Sequence, residues 1–542
     1  MSIAKNNETI FINGQIFTSN PAQPYANTMV VRDGRIAWVG DQKDLGERNG
    51  ETIDLKGRRV LPGFIDAHLH PLYLGKLAKQ ITCTPPVVNS IADLQAEIRQ
   101  IRKTQGVNAW IEGMGYDEGK FLEGRAPTRW DLDEAASDVP VIITRSCAHI
   151  AVVNSLALEL AGITEDTPNP PGGQIDRDEN GKLTGVLRED AKDLVLKIMP
   201  VPTLEEDAQT LAELSPQLLA HGITAITELM ARTEPVDYFD MYLKAREIGL
   251  KQRTVLYYKW EDLEKNPVID EDKLFRDESI HVGGIKVFAD GSISGKTAWV
   301  NPPFLGADES YGIQMTSEKE LLAAAAAAKA HHIQLVVHAM GEQAIDLIVN
   351  TFYDKDGWIS DAPSVRIEHV TFPTEQTIKR AVKAGIGFVT QPIFQYAEIE
   401  SYLNNLGADR TIRAYPVRTL LEAGAKLAFS SDAPGTAWSD PANPFIGLKS
   451  AVTRVAHDGT NTGQDERVDV QTAITLYTKA AQEITQIPDI GQLKPGYHAD
   501  FIVLDQDIFE ISPEKIDEIQ VEETYMAGQL VYEKKTAENA LS

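Results

Sequence analysis

Eight short apolar segments with the length and composition of buried strands are spaced through the middle of this 542-residue chain. Several are separated by helical signals, such as a capping box at residues 317–320 and the segment 374–384, which Gly385 ends. Strands that alternate with helices are typical of βα units around a parallel sheet. Eight such units predict an α/β fold, a closed (β/α)8 TIM barrel. The eight segments are residues 63–68, 223–229, 254–259, 284–289, 334–338, 365–370, 386–391 and 426–432.

Both ends of the chain are rich in strand-like sequence, and neither end has enough strands to form a core alone. We therefore expect residues 1–60 and 481–542 to build one small β-sandwich domain together. The barrel is expected over residues 61–480. A long stretch separates its first two strands, which predicts a large insertion at about residues 71–205 on the catalytic face, including a hairpin over residues 175–187.

The charge balance and the cysteine count limit the partners and the compartment. Asp plus Glu number 79 against 52 Lys plus Arg, a net charge of -27, which disfavours nucleic acid and anionic membranes as partners. Two cysteines and the lack of a signal-like or membrane-spanning segment fit a reducing compartment, so we expect a cytoplasmic enzyme. The sequence leaves a homodimer open.

Two histidines end the first apolar segment, and their spacing is that of metal ligands. His68 and His70 are two residues apart, so on a strand their imidazoles point to the same side. Neutral imidazole is a good ligand for zinc and similar ions. Two histidines in a polar loop would be the alternative.

Further polar residues end other strands of the predicted barrel: Lys286, His338, His369 and Asp432, with Asp290 just after the fourth segment. Residues that end different barrel strands converge at the C-terminal mouth. Each has an ordinary alternative, such as a core histidine, a turn aspartate or a structural ion pair. The hypothesis of a site depends on their occurring together.

These segments resemble the metal-dependent amidohydrolase superfamily and, within it, the YtcJ-like branch, which includes N-substituted formamide deformylase. The resemblance covers nearly the whole chain. Its motifs are residues 61–70, 286–291, 337–342, 366–369, 391–392 and 431–434, followed by 466–468 and 493–500, with residues 149–155 in the insertion.

The resemblance implies a binuclear centre, with two zinc ions as the expected cofactor. His68 and His70 would bind the more buried metal, His338 and His369 the second, and a carboxylated Lys286 would bridge them. Asp432 would bind the first metal and act as the catalytic residue. Zinc lowers the pKa of bound water to about 7. Hydroxide would then attack a C–N, amide-type bond of a small molecule while Asp432 shuttles the proton.

Four residues are weaker candidates for substrate binding: His149, Asp117, Asp290 and Arg188. The type of reaction also stays open. A deaminase of heterocyclic amines would use one metal and a glutamate three residues after the fifth-strand histidine, whereas Glu342 lies four residues after His338 and Lys286 favours two metals. An esterase or lactonase would use the same site on a different bond, and a regulatory protein on a degenerate barrel would catalyse nothing.

Overall fold

The computed structural model describes residues 8–84, 87–104, 106, 109–118, 120–145, 150–306, 309–436 and 438–535. The chain divides into two compact units, one formed by Met1–Pro71 with Asp207–Ser542 and one by Leu72–Glu206. None of the described helices is long and apolar enough to cross a lipid bilayer.

Eight parallel strands in sequential order form the barrel of the larger unit, which confirms the predicted fold class. They are β1 (Phe64–Leu69), β2 (Ile223–Ala231), β3 (Arg253–Lys259), β4 (Ile280–Phe288), β5 (Gln334–Ala339), β6 (Val365–His369), β7 (Gly387–Thr390) and β8 (Lys426–Phe429).

Helices follow most of these strands. The α-helices that lie wholly in this unit are Tyr238–Ile248, Trp260–Leu263, Glu318–Ala330, Glu342–Phe352, Glu375–Ala384, Ile393–Ala397, Ile399–Leu406, Ala408–Thr411, Val417–Glu422, Pro444–Thr453, Val470–Tyr477 and Lys479–Thr485, and helices Pro71–Leu77 and Leu204–Ala220 begin or end at its boundary. The 3₁₀ helices are Gln42–Asp44, Glu271–Leu274, Gln464–Glu466 and Pro513–Glu518. Ser317 and Glu320 form the predicted capping box, and Gly385 ends its helix with φ +68°.

The last and first barrel strands meet at their C-terminal ends through backbone hydrogen bonds. The Asp432 N–H donates to the His68 carbonyl at 2.7 Å, and the His70 N–H donates to the Ala433 carbonyl at 3.0 Å. The buried Asp66 carboxylate joins the same two strands, because it accepts from the Ser431 backbone N–H at 3.1 Å and from its hydroxyl at 2.5 Å. We call these contacts between the ends of β8 and β1 the seam of the barrel. The seam fixes the position of Asp432 relative to the two histidines at the end of β1.

Two further sheets of the larger unit combine the N-terminal and C-terminal segments, as the predicted sandwich requires. One core joins them, because Phe11 and Met29 from one end pack with Phe501 and Tyr525 from the other. The first sheet has the order Arg35–Gly40, Thr28–Arg32, Glu8–Ile12 and Glu51–Asp54, and the second has the order Gln529–Glu533, Val521–Met526, Phe501–Leu504, Arg59–Pro62, Gln15–Phe17 and Tyr25–Ala26.

The unit Leu72–Glu206 interrupts the barrel between β1 and β2 and has a mixed sheet of its own. The predicted hairpin is present, with Gly173–Arg177 antiparallel to Leu183–Glu189. The remaining strands follow in the order Ile150–Val153, Val141–Arg145, Ile111–Tyr116 and Ile81–Thr82. The helices are Ile91–Arg102, Arg129–Ala135, Ser155–Leu160 and Asp193–Leu196, with the 3₁₀ helix Asp190–Lys192.

A buried histidine near the start of β4 makes the stability of the fold sensitive to acid. His281 is 2% exposed, and neither of its ring nitrogens has a hydrogen-bond partner among the described residues. Burial lowers the pKa of its imidazole from 6.5 to about 4. Between pH 6.5 and pH 4 the imidazole is protonated in the unfolded chain but stays neutral in the folded chain. The free energy of unfolding therefore decreases as the pH falls through this range.

We therefore expect His281→Leu to reduce the loss of unfolding free energy between pH 7 and pH 5 by about 2 kcal/mol. Urea unfolding at the two pH values measures this difference. His332→Asn is the matched control, since His332 is exposed and asparagine tolerates its φ of +53°. An equal pH dependence in the wild type and His281→Leu would contradict the assignment.

Candidate metal centre

Three of the predicted site residues converge at the seam of the barrel. Asp432 Oδ1 lies 2.8 Å from His70 Nε2 and 3.2 Å from His68 Nε2. These three side chains are the one group of potential ligand atoms that the described residues bring within 4.8 Å of one another. Asp432 Oδ1 has no hydrogen-bond partner of good geometry in the described part of the chain. The three atoms therefore face a common point, as ligands do, and in the metal-free protein His70 and Asp432 form a close ion pair there.

A second pair of histidines lies next to this group. The ring centroids of His338 and His369 are 4.4 Å apart, and that of His369 is 5.0 Å from His68. His369 Nδ1 is also 3.9 Å from Asp432 Oδ2. The ends of β1, β5, β6 and β8 thus bring their polar side chains to one place, as expected for residues that end parallel barrel strands.

Lys286 on β4 is buried beside both pairs, with 1% of its surface exposed. Its Nζ has no hydrogen-bond partner among the described residues and lies 5.0 Å from the centroid of the Phe288 ring. Burial lowers the pKa of its ammonium group to about 8, although the charges of Glu368 and Asp432 act in the opposite direction. About a tenth of this lysine is therefore a neutral, nucleophilic amine at pH 7, far more than for an exposed lysine.

Three of the four histidines have one ring nitrogen held by a hydrogen bond from outside the cluster. His68 Nδ1 bonds Glu368 Oε2 at 2.6 Å, His369 Nδ1 bonds Gln391 Oε1 at 2.7 Å, and His338 Nε2 bonds the Gly291 carbonyl at 2.9 Å. Oxygens of this kind accept from the imidazole N–H, so in the neutral form of each ring the other nitrogen carries a lone pair. The ring nitrogens that keep a lone pair are His68 Nε2, His369 Nε2 and His338 Nδ1.

His70 has the corresponding neighbour on β2. Its Nδ1 lies 3.6 Å from Glu228 Oε1, and Glu228 also accepts from the Tyr242 hydroxyl at 3.0 Å. Burial alone would lower the pKa of His70, but Asp432 and Glu228 raise it to about 9. The metal-free protein therefore holds a proton here, which a bound cation would displace.

The other titratable groups of the cluster have the protonation states that metal ligands need. Burial, together with the charge of Lys286, lowers the pKa of His338 to about 3, and burial lowers that of His369 well below its ordinary value. Burial would raise the pKa of Asp432, but His68 and His70 hold it well below the usual range. The two imidazoles are therefore neutral and the carboxylate is ionised, as in histidine and aspartate ligands of zinc.

The backbone is strained where two of these side chains leave their strands. His369 has φ +72°, Val370 has φ +55° and Asp432 has φ +55°, all in the left-handed region. A β-branched residue such as Val370 is a particular outlier there. Strain of this kind persists only where surrounding contacts hold it, and it is concentrated at functional sites.

Asp290 lies beside the cluster, and its carboxylate is fully engaged with backbone. It accepts from the N–H groups of Trp299 at 2.8 Å, Met340 at 3.0 Å and Gly341 at 2.7 Å. Oδ1 is 3.6 Å from His338 Nε2. These contacts join the segments that follow β4 and β5, so the visible role of Asp290 is to order the loops around His338.

Glu342, which the deaminase alternative would use, is also engaged in structural contacts. Its Oε1 accepts from Arg410 Nη2 at 2.9 Å, and its Oε2 accepts from the Asn301 N–H at 3.1 Å. One carboxylate oxygen therefore ties the helix after β5 to the loop after β4, and the other ties it to the helix Ala408–Thr411 after β7. This arrangement does not favour the one-metal deaminase chemistry.

The three remaining candidates belong to the unit Leu72–Glu206. Asp117 Oδ1 is 3.7 Å from Arg145 Nη2, and Arg188 Nη2 is 2.8 Å from Asp176 Oδ2. His149 lies outside the described residues. Substrate binding by these three side chains stays a prediction.

The sequence alone did not show which residues contact the candidate ligands and the segment beside Asp432: Glu368, Glu228, Gln391 and Asp66. Glu368 immediately precedes His369, and the two charged residues Arg366 and Glu368 within one predicted barrel strand were a usable signal. Its contact with His68, 300 positions away, depends on which strands lie opposite each other in the barrel.

Comparison with known proteins agrees with the fold. A profile of the amidohydrolase family matches residues 51–532. The amidohydrolase-family protein YtcJ of Bacillus subtilis (strain 168) is 29% identical over 549 residues, covering 97% of this chain and 100% of YtcJ. N-substituted formamide deformylase of Arthrobacter pascens is 27% identical over 547 residues, covering 97% of this chain and 98% of the deformylase.

A solved structure has a similar three-dimensional fold. The crystal structure of an uncharacterized metal-dependent hydrolase from Pyrococcus horikoshii OT3 matches with a TM-score of 0.75 and 26% identity, covering 94% of this chain and 99% of that one. The fold and site thus define a metal-dependent hydrolase. The chain belongs to the amidohydrolase family.

Proposed function

We propose that this enzyme uses two divalent metal ions to hydrolyse a carbon–nitrogen bond of a small amide-type molecule. The observation that carries the proposal is the convergence of His68 Nε2, His70 Nε2 and Asp432 Oδ1 at the mouth of the barrel, beside a second histidine pair. Buried ligand atoms without hydrogen-bond partners, namely His369 Nε2, Lys286 Nζ and Asp432 Oδ1, support the fit of metal ions.

The donor set fits zinc, which binds imidazole and carboxylate. His68, His70 and Asp432 would hold one ion, and His338 and His369 the other. Lys286 would bridge them as a carbamate, which forms when its neutral amine adds to the carbon of carbon dioxide and loses a proton. A carbamate offers two anionic oxygens, and its negative charge would remove the cost of burying an unpaired ammonium group.

When bound, the metal centre would supply a Lewis acid that polarises the scissile carbonyl and lowers the pKa of water. Asp432 would handle protons, because its carboxylate is ionised and its Oδ1 faces the same point as the histidine nitrogens, where it could accept a proton from the attacking water. Asp432 then gives the proton to the leaving nitrogen, which departs as a neutral amine. The barrel mouth orients the substrate, and the phenyl rings of Phe288 and Phe394, which pack on His338 and His369, exclude water from one side.

The name of the Arthrobacter pascens relative suggests N-substituted formamides as the first substrates to test. N-acyl amides and carbamates have the same planar C–N bond and belong in the same panel. Lactones and cyclic amidines test the ester and deaminase alternatives.

Removal of the metal gives a direct test. The purified protein is expected to contain divalent metal, to lose amide hydrolysis when a chelator removes it, and to regain hydrolysis when Zn²⁺ is added back. Metal analysis of each sample and release of amine from the panel measure the outcome. A protein that binds no transition metal, or that cleaves only lactones or cyclic amidines, would contradict the proposal.

A further inference from the structure

A column of buried polar side chains runs through the barrel and ends at His68. Barrel interiors are ordinarily filled with branched apolar side chains, so a polar column needs an explanation. Gln334 Oε1 accepts from the Tyr257 hydroxyl at 2.9 Å, and Tyr257 is contacted by Arg366 Nη1 at 3.1 Å. Arg366 Nε then donates to Glu368 Oε1 at 2.6 Å, and Glu368 Oε2 bonds His68 Nδ1 at 2.6 Å.

The ion pair of the column is fully enclosed. Arg366 and Glu368 are both 0% exposed, and Arg366 Nη2 also donates to the Ala67 carbonyl at 2.6 Å. The Arg366 guanidinium carbon lies 4.9 Å from the centroid of the Tyr257 ring. A buried ion pair is commonly no more stabilising than apolar residues of the same volume. Fold stability alone therefore gives little reason for charges at this position.

The contact between Glu368 and His68 explains why a charged pair occupies this position. A carboxylate that accepts from Nδ1–H fixes the ring orientation and leaves the Nε2 lone pair directed at the site, and it makes the imidazole a stronger ligand. Arg366 donates to both Glu368 oxygens, from Nε to Oε1 at 2.6 Å and from Nη2 to Oε2 at 3.2 Å. These two hydrogen bonds restrict rotation of the Glu368 carboxylate.

We propose that Glu368, held in place by Arg366, is a positioning residue that sets the orientation and ligand strength of His68 and thereby the affinity of the centre for its metal. This inference rests on the proposed function, in which His68 binds metal. Glu368 acts through His68 and is assigned no contact with substrate.

The test separates this role from a purely structural one by removing the whole pair. The double variant Arg366→Met with Glu368→Leu replaces both charges with apolar side chains of similar size and leaves no unpaired charge. We expect its metal-free form to unfold at a urea concentration equal to or above that of the wild type. Its affinity for Zn²⁺, measured on the full-length protein by competition with a chromogenic chelator, is expected to fall by about 10- to 100-fold.

A second ion pair offers a matched control. Arg253 Nε pairs with the buried Asp500 Oδ2 at 3.0 Å near the start of β3, at the opposite end of the barrel. Arg253→Met with Asp500→Asn is expected to leave the Zn²⁺ affinity unchanged. Glu368→Gln keeps an acceptor for His68 Nδ1 but leaves Arg366 without a counter-charge, so its unfolding in urea is measured as well. Its loss of Zn²⁺ affinity is expected to be smaller than that of the double variant.

The outcomes distinguish the inference from the proposed function. If the double variant folds and binds Zn²⁺ as tightly as the wild type, the positioning role is overturned while the metal centre stands. If the double variant fails to fold, Glu368→Gln decides, and wild-type affinity in that variant overturns the role. If the wild type itself binds no metal, both proposals fail.

Discussion

Replacement of Asp432 by asparagine is expected to lower kcat/KM by about 10²- to 10⁴-fold while the protein stays folded. Asparagine has the shape of aspartate but does not take up a proton near neutral pH, so the shuttle from water to leaving nitrogen is lost. Asparagine also tolerates the left-handed backbone of this position, where φ is +55°, so the substitution adds no strain.

Steady-state kinetics on the best amide substrate and thermal unfolding measure the two effects. Asp440→Asn on the same loop, whose carboxylate is 35% exposed and pairs with His221, is the control and should keep full activity. Near-native kcat/KM in Asp432→Asn would show that another group moves the proton. Asp432→Ala is expected to lose activity and also stability, by about 1 kcal/mol, because alanine is strained at this φ.

Lys286→Met is expected to have opposite effects on activity and on stability. Loss of the amine removes the proposed bridge, so the variant should bind fewer metal ions and lose nearly all hydrolysis. The metal-free variant should nevertheless be more stable at pH 7 by up to about 3 kcal/mol. The sign follows from the lowered pKa, because folding disfavours the charged form that lysine holds below pH 8.

Urea unfolding of the metal-free proteins and metal analysis of the purified ones measure this prediction. Lys259→Met is the matched control. Lys259 lies opposite Lys286 on the neighbouring strand β3, but its ammonium group forms an ion pair with the exposed Glu261. It should keep its metal content and gain no stability. A metal-free Lys286→Met protein that is less stable than the wild type would contradict the picture of a buried, unpaired amine.

The barrel is predictable from sequence because each strand is an apolar run bounded by helical or turn signals. The predicted boundaries are less accurate where that signal is weak. The sequence predicts that the fourth run starts at residue 284, whereas β4 starts at Ile280, because Gly283 and Gly284 interrupt the apolar pattern. The pair of glycines is accommodated where Tyr257 of β3 packs closely against Gly284.

The candidate site residues can be found from sequence because parallel strands end at one edge of the barrel, whereas their assignment as metal ligands depends on the family resemblance. The residues that contact these histidines from outside the cluster cannot be identified in this way. Glu368, Glu228 and Gln391 contact histidines on other strands, and which side chains meet depends on the direction in which each one points. The same limit applies to Asp290. Its place after β4 suggests substrate contact, and only the folded structure shows that three backbone N–H groups occupy its carboxylate.

The seam between β8 and β1 has a consequence for how the enzyme is made. His68 and His70 are synthesised early, but the aspartate that joins them arrives more than 350 residues later, and its own backbone N–H forms part of the closure. During synthesis the three-residue cluster can therefore form only when the last barrel strand pairs with the first. If these three side chains bind a metal ion as proposed, the ion can be held by all three only after the last barrel strand has docked against the first.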